Sequence, residues 1–321
     1  MINLRYHVVS LVAVFLALGV GVVMGSTVID RVTVDALEAQ VRRVENSVKA
    51  TQAENRRLDD QLRTVRDFAD QARDRIAEGH LQGVTVLVVA VAGVDRKPVD
   101  GLRQALASSE ATLAGTVWFT AKMRLDNEGD VRAMATALDL SADQPDVLRR
   151  QALLRVAAAL EGGSESNLLP TLLAAGFLAY EGPPDQATSP SSALASLPRG
   201  GVRVALVSGA GANVGDDQVA TPLAQALGLS SARVVAAEAG QDSPGGRAVF
   251  VGLLRKDDVV GPRLSTVDNL ESAMGQAATV LALDDLAVPR TGHYGVGPGA
   301  QRLLPTDQRH QLQERHRAVT A

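Results

Sequence analysis

At 321 residues, 46% of them hydrophobic but only 3% aromatic, the chain has room for a membrane anchor, a stalk and one or two α/β units. Its net charge of −4 leaves no electrostatic footprint for nucleic acid. Having no cysteine, it offers neither a disulfide framework nor a thiolate metal or redox site, and the scarcity of aromatics argues against the girdles of a transmembrane barrel.

Residues 8–29 are uncharged, and about 20 apolar residues cross a bilayer core. The alternative is a cleaved signal peptide, whose apolar core typically spans about 7–15 residues behind a basic leader. Here the leader holds only Arg5 and His7, and the chain runs on without a break into further helical pattern. The expectation is an uncleaved single-pass anchor at residues 1–29, with a cytoplasmic N-terminus and the bulk of the chain outside. Within it Ala13, Ala17, Gly21 and Gly25 recur at every fourth position. Such a small-residue face lets membrane helices approach closely.

From Val34, apolar residues alternate at spacings of three and four: Leu37, Val41, Val44, Val48, then Leu58, Leu62 and Val65, ending at Ile76. Sustained over about six heptads, the pattern predicts a coiled coil at residues 30–79. β-Branched residues at the a positions favour two parallel strands, and Asn55 at an a position sets register. The expected partner is a second copy of the chain. A helix lying on the protein's own domain is the alternative.

Beyond residue 79 the period changes. Residues 83–91 read as a strand buried on both faces, followed by a helix at 99–108, a strand near 113–120, helices at 130–138 and 146–160, and a strand at 176–182. The breaker-rich run GPPDQATSPSS then predicts a linker within residues 181–200. A similar order restarts with a strand at 201–209, a helix near 216–227, a strand at 233–237 and a helix at about 270–286. The fold class is therefore α/β, with a mainly parallel sheet of two similar halves, 83–180 and 201–300, in an extracytoplasmic domain spanning 80–300. Residues 301–321 form a basic tail.

Candidate chemistry is sparse. Gly209, Gly211 and Gly215 sit between a strand and a helix, as in a dinucleotide-binding turn, but the spacing is GxGxxxG and Glu238 is a poor ribose partner. A plain tight loop is the simpler reading. Ser265 and His293 could pair as nucleophile and base, yet nothing local activates either, and no Walker, HExxH or GxSxG motif is present. The five histidines form no i, i+4 pair, and Met123, Met134 and Met274 are scattered, whereas Cu(I) prefers clustered Met or Cys. No enzyme activity and no cofactor are expected from the residues themselves.

The opening MINLRYHVVSLVAVFLALGVGVVMGS, the heptads behind it, STVDN at 265–269 and GHYGVGPG at 292–299 together resemble the actinobacterial copper transport outer membrane protein family, MctB. The resemblance runs from the first residue to about Gly299. It implies a pore-forming outer-membrane protein of copper efflux and resistance, and it marks Ser265, Thr266, Val267, Asp268, Asn269, Gly292, His293, Tyr294 and Gly295 without supplying a metal-ligand set. Related corynebacterial proteins are described as envelope factors that pair with a membrane protein encoded beside them and act on cell-wall cleavage. That implies a different role, a membrane-anchored scaffold with such a partner. From the residues alone, the soluble portion is expected to bind Cu(I) weakly or not at all.

Overall fold

A computed structural model describes residues 4–141, 144–162, 167–183, 188–198, 202–230, 233–240, 249–287 and 290–306, with backbone alone at residue 4 and over 26–34. By its contacts the chain divides into two compact units, Met1–Arg66 and Asp67–Ala321.

One helix, α1 (Leu4–Ala77), supplies the first unit and the opening of the second. No proline interrupts it, and Gly79, at φ +70°, supplies the left-handed residue on which helices commonly stop. Its segment Arg5–Gly25 has a mean hydropathy of 2.6 over 21 residues, long and apolar enough to cross a membrane. Further along, the heptad residues Leu37, Val41, Val44, Val48, Leu58, Leu62 and Val65 lie 44–63% exposed.

The second unit is one seven-stranded sheet in the order β3-β2-β1-β4-β5-β6-β7. Its strands are β1 (Thr85–Val91), β2 (Thr112–Phe119), β3 (Leu178–Glu181), β4 (Val202–Gly209), β5 (Val234–Ala239), β6 (Ser265–Val267) and β7 (His293–Tyr294). All pair in parallel except β3, which runs antiparallel to β2. The two expected halves are thus parts of one sheet, joined where β1 pairs β4, and they differ: the first half ends on an antiparallel strand.

Both faces are covered, as a parallel sheet requires. Because strand side chains alternate, Val86, Val88 and Ala90 of β1 point to one face and Leu87, Val89 and Val91 to the other. The first face packs on α2 (Arg96–Ser108) and α9 (Ala273–Asp285), with Ala77 at the end of α1 and Leu81 in the turn that follows it. The second is covered by α3 (Glu128–Leu138), α4 (Pro145–Leu160), α5 (Leu168–Ala174), α6 (Pro190–Ala195), α7 (Ala220–Leu229) and α8 (Phe250–Lys256). Each fully buried Val or Leu contributes about 1.5–3 kcal/mol of transfer free energy. Arg73, only 6% exposed, fastens the last turns of α1 by donating to Gln276 Oε1 on α9 at 2.8 Å.

The stretch expected as a linker is partly structured. Ser189 accepts from the Ser192 amide at the start of α6, Pro190 follows at N1, and Leu194 enters the core at 2% exposure. Six residues are too few to show a helical period, so only the Ser-Pro cap announced this helix.

Candidate functional site

In doubly wound sheets a ligand enters the crevice where strand order reverses, here outside the carboxyl ends of β1 and β4. That crevice is filled by the chain itself. The Asn213 amide donates to Ala92 O at 2.7 Å. A Cβ on Gly93 would collide with Gly211 O and the Asn213 side chain. Helix α7 does not begin until Ala220, too late to aim its N-terminus at a pyrophosphate held by Gly209 and Gly211. These glycines serve close backbone approach, in keeping with the tight loop. Glu238 is likewise occupied: buried at the end of β5, it accepts from the Val249 and Val251 amides at 2.8 and 2.9 Å and caps α8.

The two sequence motifs meet at the far edge of the sheet. Strands β6 and β7 pair with Thr266 opposite His293 and Val267 opposite Tyr294. Behind them stands a residue that sequence reasoning missed, Arg255 in the last turn of α8. Its guanidinium donates to Thr266 Oγ1 at 2.9 Å, Asp268 Oδ2 at 2.6 Å, Tyr294 O at 2.8 Å and Pro298 O at 3.0 Å. Asp268 is fully buried and also accepts from the Val296 and Gly297 amides at 2.8 and 2.9 Å. Gly295, at φ +123°, lets the chain turn there, since a Cβ would strike the Asp268 carboxylate. In sequence Arg255 looked like one charge in the run RKDD, and nothing local distinguished it from a solvated helix end.

The same threonine reaches His293. Thr266 Oγ1 accepts from Arg255 Nε and lies 3.0 Å from His293 Nδ1, within hydrogen-bond distance. Burial, and next the Arg255 charge, push the His293 pKa below its ordinary value. Ser265 is not its partner; the Ser265 hydroxyl accepts from the Gly292 amide at 3.3 Å. The nucleophile–base pair considered from sequence is therefore not made. Asn269 donates to Ser272, which caps α9. Val267 is core.

Other metal candidates stay apart. His80 lies 2.9 Å from Asp284, Met123 and Met134 are fully buried in the core, and Met274 is surface-exposed on α9. His310 and His316 lie outside the described residues. Among the described residues no three His, Cys, Asp or Glu side chains are grouped to hold a metal ion. The face of Ala13, Ala17, Gly21 and Gly25 and the register residue Asn55 belong to the first unit, where a Cβ on Gly21 or Gly25 would meet open space.

The family described as copper transport outer membrane protein, MctB, matches residues 1–305, taking in the apolar helix, the heptads and both motifs. The chain belongs to the MctB family. Its relatives include the copper transporter MctB of Mycobacterium tuberculosis, 26% identical over 321 residues, and that of Mycobacterium leprae, 28% identical over 330. Each alignment covers 94% of this chain and 99% of the relative. In this MctB-family chain one buried ion pair, Arg255–Asp268, braces both STVDN and GHYG.

Proposed function

We propose that this chain is a membrane-anchored envelope protein contributing to copper efflux and resistance, held by the Arg5–Gly25 helix with its α/β unit outside the cytoplasm. The observation that carries this reading is the reach of the family match, residues 1–305, together with full-length relatives named copper transporters. The α/β unit supports transport without holding the ion in a dedicated site. Cu(I) seeks clustered Met or Cys, two methionines here are spent on the core, and His293 Nδ1 lies within hydrogen-bond distance of Thr266 Oγ1. A pore in this reading is assembled from the apolar helices of several copies, packed on the face of Ala13, Ala17, Gly21 and Gly25.

Deletion of the gene should give copper sensitivity with normal septa. Unchanged copper tolerance would overturn the reading. Competition titration against a Cu(I) chelator should show no stoichiometric, high-affinity binding to the full chain; such binding would make the copper role direct.

A second reading is favoured by the exposed heptad seam of α1. A parallel homodimer would bury that seam and make the protein a scaffold, acting with a membrane partner in cell-wall remodelling and division. Misplaced or unsplit septa in a deletion strain of ordinary copper tolerance would select it.

A further inference from the structure

A cavity of about 340 Å³ opens where Thr291 and Gly292 lead into β7, between the end of α9 and the returning segment Gln301–Thr306. Its lining is rich in hydrogen-bond donors. Arg290 and Arg302 bring two guanidiniums, Tyr294 a phenol and Gln301 an amide, against the single carboxylate of Asp285. The formal charge of the wall is therefore positive.

Tyr294 is the telling residue. Its side chain is 94% buried, yet its hydroxyl has no hydrogen-bond partner among the described residues. Reaching the cavity without a protein partner, this hydroxyl is a donor open to whatever fills the space. Gly292 keeps the space clear, since a Cβ there would run into the phenol oxygen. Burial, then Asp285, raise the Tyr294 pKa above its ordinary value, so the phenol stays a donor at neutral pH.

We propose that this cavity binds a small acceptor-rich anion, a carboxylate or a phosphate ester, clamped by Arg302 and Arg290 and by the Tyr294 hydroxyl. A guanidinium matches either oxyanion bidentately, and the volume lies at the lower end for small-molecule sites. The inference stands apart from the copper reading and uses none of its evidence.

The test follows thermal unfolding of the full-length protein in detergent micelles, titrated with inorganic phosphate, with succinate, and with sodium chloride at matched ionic strength. A saturable rise with phosphate alone identifies a phosphate ligand, and one with succinate alone a carboxylate. Tyr294→Phe should unfold at or above the wild-type temperature without anion, because it loses only an unpaired hydroxyl. With the anion that gave the rise, Tyr294→Phe and Arg302→Gln should each need about tenfold more for half the shift. No rise beyond that of sodium chloride, or an undiminished rise in both variants, overturns the proposal.

Discussion

Asp268 and Arg255 are 0% and 4% exposed in their side chains and hydrogen-bonded on nearly every side. Removing one member of such a pair strands the other charge in the interior, at a cost of about 3–5 kcal/mol, whereas replacing both with apolar groups is often close to neutral. Asp268→Ala should therefore lower stability in chemical denaturation by at least about 3 kcal/mol, and the double variant Asp268→Ala with Arg255→Met should recover part of the loss. Strict additivity of the two single changes would show that the pair is not coupled. Glu238 carries a pH dependence. Burial raises its pKa from 4.5 to about 7 against the lowering effect of the amides it caps, with Asp216 adding to the rise. Between those values the folded chain keeps a proton that the unfolded chain releases, so this group's stabilising contribution is complete below about pH 4.5 and lost as pH rises through 7. The loss is up to about 3 kcal/mol. Glu238→Gln should flatten the stability–pH curve between pH 5 and 7.5, and an unchanged slope would assign it to other groups.

At the scale of elements, periodicity decided what could be read in advance. The long strands β1, β2 and β4 and helices α2, α4 and α9 stood out because each buries a whole face or both faces. Strands β6 and β7, of three and two residues, and α8, of seven, are too short to carry a period. The two strands were reached only through the motif resemblance, and α8 with its Arg255 not at all, because the partners of Arg255 lie 11–43 positions away in sequence. Helix α1 was legible from its heptads, and the same pattern yields a test of pairing. Asn55 is exposed in the single chain, and if two copies pair along the seam, replacing it by Leu removes an interfacial amide together with its register constraint. In a peptide spanning residues 30–79, analytical ultracentrifugation should find a dimer that becomes a dimer–trimer mixture on Asn55→Leu, with a higher melting temperature. A native peptide that stays monomeric at high concentration would remove the homodimer and leave the seam to another protein's helix.

For the whole molecule, the first question is whether α1 stays attached. An uncharged segment that runs on into the same helix predicts that the mature protein keeps it. N-terminal sequencing should begin at or next to Met1, and a start near Ser26 would end the anchored reading. The second question concerns the sheet, whose parallel order is that of many nucleotide-binding folds. At the junction of β1 and β4 the loops of Gly93 and Gly211 press together, held by the Asn213 amide on Ala92 O. A dinucleotide could enter this mouth only by prising that backbone contact apart. The space left open lies at the far edge of the sheet, where the phenol of Tyr294 has no protein acceptor among the described residues.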